Sequence, residues 1–324
     1  MHKGRKGLKN EYFRHFDMPK AALDPIGPDE KKPRVESCVP ERGTGFRGGP
    51  ATEAGGINMR GINARFVSDL TNGELSFFLR QVKERQTELA LEIRGGYINI
   101  YYRGGNLLKI MQKRNGYTFQ FDSRYCLNKG DESNFERITK LDSSSAPDFA
   151  KHFDLLIDEM QKWFSVHPKR EREYQHQLLV HNASIIDIEY QVKNLMRLDM
   201  LMVMDDRLIV VENKYGLGAI TGSAGLAKHY RDICRVLTDS ELKKELYDSV
   251  QQIADCKSSL GLLSNPVPQL NQNKHEILFL LAGYNSKSRS VQNEMSGFEK
   301  TVPVRLLLMP ADQYVIDISK AVAL

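Results

Sequence analysis

No apolar run in this chain approaches the ~20 residues a bilayer-spanning helix needs, so a membrane-embedded protein is not expected. The first twenty residues, MHKGRKGLKNEYFRHFDMPK, are basic but have no apolar h-region, so they do not read as a secretory signal. Cysteine is scarce and scattered. Cys38, Cys126, Cys234 and Cys256 form no C-x-x-C pair, which argues against a zinc site and for reduced thiols in a cytoplasmic protein. His176 and His181 are five apart, the wrong spacing for two ligands on one helical face. Internal repeats and heptads are missing as well. Neither sign of charge dominates: 46 Lys and Arg against 41 Asp and Glu give +5, a mild basicity that permits nucleic-acid binding without demonstrating it.

What is present is the balance of a globular protein, 41% hydrophobic and 27% charged, in 324 residues that suffice for two domains or one large one. Residues 1–60 are rich in Gly, Pro and charge and read as an irregular basic tail or wrap. Residues 61–145 read as a helix followed by an antiparallel meander. Thr71 or Asn72 caps the helix, and Leu75, Phe78, Leu79 and Val82 line its buried face. LALEIR, YINIYYRG, NLLKIMQK and YTFQFDSRY, separated by Gly-Gly or Asn-Gly, are the meander strands. A polar connector, NKGDESNFERITKLDSSSAPD, leads to residues 146–324. There, two helices (PDFAKHFDLLIDEMQKWFSVH and KREREYQHQLLVHN) precede the strands SIIDIEYQV, LDMLMVM and RLIVVENKY. Two more helices and the strands HEILFLLAGY and VPVRLLLMP follow. Strands with both faces apolar, alternating with helices, predict an α/β fold with a covered central sheet.

The stretch RLDMLMVMDDRLIVVENKYG, 197–216, puts charge at both ends of near-continuous core. A two-residue turn at Asp205-Asp206 pairs Met204 with Arg207, Val203 with Leu208 and Leu201 with Val210. The same register sets Asp199 opposite Glu212, with Cβ atoms ~5 Å apart, and turns Lys214 to the same face. Two adjacent carboxylates repel unless a cation intervenes. Mg2+, or Mn2+ in its place, accepts such an oxygen pair and keeps waters, one of which can attack a phosphodiester. Lys214 supplies a positive charge for that step.

Asp199, then Glu212-Asn213-Lys214 after twelve intervening residues, resembles the D…E-x-K signature of the PD-(D/E)XK nuclease superfamily. The resemblance covers about residues 165–240; RLD stands where many members have PD. It implies a restriction-endonuclease-like fold, a mixed central sheet flanked by helices. It also implies a metal-dependent nuclease, an endonuclease before an exonuclease, acting on DNA before RNA in restriction, defence or repair. A further carboxylate is expected on the preceding helix, where Glu171 and Glu173 are the candidates and Glu171 shares the face of Leu178. The Asn213 carbonyl is an additional metal-ligand candidate.

Lys228, Arg231 and Arg235 fall on one helical face and are candidates for nucleic-acid contacts, with Tyr215 and Gly216 at the strand end. GLGAITGSAG is one residue longer than the Rossmann fingerprint and follows several strands, so a dinucleotide is not expected. Its glycines read as a turn or a close approach to phosphate. Gln175 and Gln177 read as surface residues before contacts to the site or substrate, and Asp187, Glu189 and Gln191 as the wet face of an edge strand before an aid to metal binding. Tyr97, Tyr101 and Tyr102 read as packing residues before base-stacking ones. The competing readings are a solvated strand end at 212–214, a non-catalytic binding or assembly module, and a nuclease regulated or dimerised through residues 61–145. A homodimer and a regulatory partner acting through that segment are both compatible with the chain.

Overall fold

The computed structural model describes residues 60–126, 146–192, 195–216, 220, 225–284, 289–296, 298 and 300–324. The N-terminal segment, the 127–145 connector and most of the glycine-rich loop lie outside the described residues, as does Cys38. Among the described residues no helix is long and apolar enough to cross a membrane.

The fold is mixed α/β. Helices α1 (Ala64–Thr71) and α2 (Ser76–Glu84) precede β1 (Leu89–Ile93), β2 (Tyr97–Tyr102), β3 (Gly105–Lys113) and β4 (Gly116–Gln120). These strands form an antiparallel meander in sequence order. Neither Thr71 nor Asn72 caps the start of α2, whose N-cap position is Leu75. Thr71 ends α1, a helix the sequence did not suggest, and Asn72 is its C-cap, while Asn63 caps its start by accepting from Phe66 N–H. The residues expected inside α2's face, Leu75, Phe78, Leu79 and Val82, are buried.

Next come α3 (Ala146–Lys151), α4 (Phe153–Val166) and α5 (Arg170–His181). The first two were expected as one helix; the chain breaks at His152, yet Phe149, Phe153, Leu156, Ile157 and Met160 are all buried. The second sheet has six strands in the order β10-β9-β8-β7-β6-β5. They are β5 (Ile185–Val192), β6 (Met196–Met204), β7 (Arg207–Tyr215), β8 (His275–Ala282), β9 (Val304–Met309) and β10 (Val322–Ala323). β5, β6 and β7 pair antiparallel, β7, β8 and β9 parallel, and β10 returns antiparallel on β9. The β7-to-β8 crossover carries α6 (Leu226–Thr238) and α7 (Ser240–Ser259), and α8 (Arg289–Met295) lies between β8 and β9.

Side-chain alternation gives this sheet two cores. Leu208 and Val210 pack in a cluster with Tyr230, Ile233 and Val250 of α6 and α7, and that cluster runs on into the meander and α1 to α4. Ile209 and Val211 point the other way, into a cluster with Tyr174 and Leu178 of α5.

Asp187 is not on a wet face. The β5–β6 register shifts between Ile185 and Asp187, a β-bulge that re-aims the strand. Asp187 is fully buried and bound by Arg94 and by Arg60, the latter at 3.5 Å. Beside it, Lys257 Nζ of α7 donates to Glu92 Oε1 (2.8 Å) and to the Ile186 carbonyl (2.7 Å). The β1 end of the meander thus covers β5 with paired charges. Glu189 is half-buried, 3.7 Å from Arg197, and Gln191 is exposed as expected. Tyr101 and Tyr102 are buried, so they pack rather than offer rings to bases; Tyr97 carries the Lys109 ammonium over its ring, 4.1 Å from the centroid.

Candidate functional site

The β6–β7 hairpin positions the site. Asp205 has φ +54°, the left-handed conformation a tight two-residue turn needs, and Asp206 is held by Lys274 at 2.8 Å. Met204 pairs with Arg207, Val203 with Leu208, Leu201 with Val210 and Met200 with Val211, the register expected from the turn. The ladder stops at Met200–Val211. One step further, Asp199 Oδ2 accepts the backbone N–H of Asn213 at 3.0 Å. The Asp199 side chain therefore does the strand-pairing work at the end of the hairpin and is tied beside Glu212.

Glu212 is 1% exposed although it is a carboxylate. Lys214 Nζ lies 2.8 Å from its Oε1, an ion-pair contact, but neither carboxylate oxygen is aligned in a hydrogen bond. His229 of α6 brings Nδ1 to 3.2 Å from the same Oε1, and that nitrogen too is buried without a hydrogen bond. Burial is the main force on Glu212's pKa; Asp199 and Glu171 add to it, Lys214 opposes it, and the carboxyl is pushed up to about 8. Asp199 is raised to about 6, by burial first, against the Asn213 amide and Lys214, with Glu171 adding to the rise. Burial alone would lower Lys214, but Glu212, Asp199 and Glu171 outweigh it and its pKa rises. Burial and the neighbouring Lys214 and Lys228 bring His229 down to about 4, leaving a neutral imidazole at neutral pH. The site is thus a desolvated cluster short of positive charge.

Of the sequence candidates, Asp199, Glu212 and Lys214 come together. Glu171, exposed in the first turn of α5, acts on them through its field. Glu173 is turned away: Arg103 Nε holds its carboxylate at 2.8 Å. Asn213 is buried, and its side-chain Oδ1 has no hydrogen-bond partner. The Tyr215 ring packs on Tyr174, with centroids 5.1 Å apart. Gly216 (φ +66°) gives its amide to the Ala282 carbonyl at 2.8 Å, so that N–H is committed within the sheet. Lys228, Arg231 and Arg235 are exposed along α6, and Lys228 pairs with Asp232. Among the described residues, no group of three His, Cys, Asp or Glu side chains is gathered closely enough to hold a metal ion as it stands.

Two residues stand closer to the carboxylates than the favoured sequence reading put them. Gln175 is buried rather than on the surface and donates from Nε2 to the Asp199 carbonyl at 2.8 Å, fixing the backbone that carries the carboxylate. His229 contacts Glu212. Both stand at helical spacing from apolar residues, Gln175 three before Leu178 and His229 three after Leu226, so the 3.6 period places them on inward faces. Compared with known protein families, curated proteins and solved structures, the chain finds no match.

Proposed function

We propose that this chain is a divalent-metal-dependent nuclease that hydrolyses phosphodiester bonds, with DNA favoured over RNA, on a restriction-endonuclease-like fold of the PD-(D/E)XK type. The observation that carries the reading is Glu212, almost wholly buried beside a second carboxylate, with neither oxygen in an aligned hydrogen bond among the described residues. Lys214, 2.8 Å from Glu212 Oε1, offsets one of the two negative charges, and the second stays costly unless a further cation meets it. Oxygen donors from Asp199 and Glu212, with the Asn213 carbonyl as a further donor, suit Mg2+, and Mn2+ as a substitute. The antiparallel β6–β7 pair, continuing into parallel β8 and β9 with helices on both faces, agrees with this fold.

When bound, the metal screens the phosphate and lowers the pKa of a coordinated water. Asp199 and Glu212 would hold it, with Gln175 fixing the Asp199 backbone. As the water oxygen bonds to phosphorus and the ester P–O bond breaks, Lys214 meets the growing negative charge. The attacking water gives up its proton to solvent, and the departing alkoxide takes one up from solvent water. The exposed Arg231 and Arg235, with Lys228 where a phosphate takes the place of Asp232, give α6 a cationic edge for backbone phosphates.

The test offers plasmid, linear duplex, single-stranded DNA and RNA with Mg2+, Mn2+ or chelator. Cleavage is expected only with metal. It should be lost in Glu212→Gln and fall roughly 10²- to 10³-fold in Lys214→Ala, the cost of removing one group aimed at transition-state charge. Full activity in both folded variants would discard the mechanism.

A further inference from the structure

We infer that His229 is a third metal ligand and that it tilts the site toward a divalent transition ion of the Mn2+ or Co2+ class over Mg2+. The inference rests on the reading of Asp199 and Glu212 as metal-holding carboxylates and adds a nitrogen donor to them.

The placement of His229 follows from α6. Leu226, Tyr230 and Ile233 are buried against the sheet face that carries Leu208 and Val210. Glu212 and Lys214 continue that face toward the strand end. His229 lies between these anchors and is held over Glu212, while its neighbour Lys228 is exposed and occupied by Asp232.

Glu212 Oε1 and His229 Nδ1 face each other 3.2 Å apart, both buried and, among the described residues, neither in an aligned hydrogen bond. The Lys214 ammonium, 2.8 Å from the same Oε1, is the cation that a bound ion would displace. Two donors bound at right angles, each ~2.1 Å from one ion, are ~3 Å apart. The pair therefore already stands at the separation that neighbouring ligands of a single cation require. Helix packing and hairpin register, not the ion, fix that separation.

Donor type sets the preference. Carboxylate, carbonyl and water oxygens suit Mg2+, whereas an imidazole nitrogen suits transition ions, whose affinity for nitrogen sites rises along the first row. A site of two carboxylates and one imidazole is biased accordingly. The simpler alternative, in which Nδ1–H donates to Glu212 and only orients it, makes a different forecast, because orienting a carboxylate helps every metal alike.

The experiment is calorimetric titration of the full chain with Mn2+, Co2+ and Mg2+ in turn, for wild type, His229→Ala, His229→Gln and Glu212→Gln, without nucleic acid. Circular dichroism verifies folding, and the Gln variant serves if Ala fails to fold. Mn2+ and Co2+ affinity should drop by about 10- to 100-fold without His229, at least the cost of losing an outer-shell partner, while Mg2+ binding stays nearly unchanged. The Co2+ d–d absorption spectrum should change in the same variants. Equal weakening of all three metals, or none, overturns the assignment of His229 while leaving the two-carboxylate site intact. Retained metal binding in Glu212→Gln, or none in wild type, overturns the metal reading and this inference together.

Discussion

A carboxyl pushed up to about 8 makes stability fall as pH rises. The folded chain keeps a proton on Glu212 between its ordinary value of 4.5 and about 8, where the unfolded chain has released it, so folding weakens through that window. In metal-free buffer the melting temperature is expected to drop between pH 6.5 and 8, and Glu212→Gln should flatten the drop. Added Mn2+ should raise the melting temperature at pH 8 in wild type but not in the variant, since a ligand bound only by the folded state stabilises it. A variant melting curve that tracks wild type across this range would contradict the rise that burial imposes on the Glu212 carboxyl against Lys214. His176 acts with the opposite sign. Its Nε2 lies 2.8 Å from the Glu88 carbonyl and must donate, so Nδ1 is the bare nitrogen, buried with no partner for a proton. Burial lowers His176 to about 4, so stability present above pH 6.5 is lost as pH falls toward 4. His176→Gln should show a shallower acid limb in denaturant titrations run from pH 7 to 4.

At the scale of elements, the β6–β7 hairpin was the most legible part of the chain. An Asp-Asp turn between alternating apolar strands fixes a register, and the register brings Asp199 to Glu212 without any long-range information. Contacts between elements distant in sequence were not legible. Nothing local to IIDIEYQV announces that a bulge and Arg94, 93 residues away, bury Asp187. Glu173 and Glu171 are likewise equivalent on a helical wheel until Arg103 claims one of them. His229 and Gln175 could have been placed on inward faces by period, but not assigned a carboxylate or carbonyl to meet. The Glu92–Lys257 pair that ties α7 to the meander carries its own forecast. Lys257→Met leaves Glu92 buried without its bonded ammonium and should cost about 3–5 kcal/mol in denaturant unfolding. Pairing it with Glu92→Leu should recover most of that loss, and failure to recover would mean that Lys257 stabilises through its bond to the Ile186 carbonyl instead.

For the whole molecule, the consequence of a continuous core is cooperativity. The cluster that fills the meander and α1 to α4 runs on under β5 to β9 and into α6 and α7. Trp163, the single tryptophan, sits in α4 at Tyr125 and Phe164, with ring centroids 5.2 Å from each. Its fluorescence and the far-UV circular dichroism should therefore trace one coincident unfolding transition. Two separated transitions would show that residues 61–145 fold as a module of their own. The same continuity sets Asp199 and Glu212 at the rim of a sheet packed on both faces, the fixed mounting that the proposed metal site would need. The most direct measurement is anomalous diffraction from a crystal of the full chain soaked in Mn2+. A single strong peak within ligand distance of Asp199 and Glu212 is expected. A map with no peak there, and the Glu212 carboxylate still closed on Lys214, would contradict the assignment.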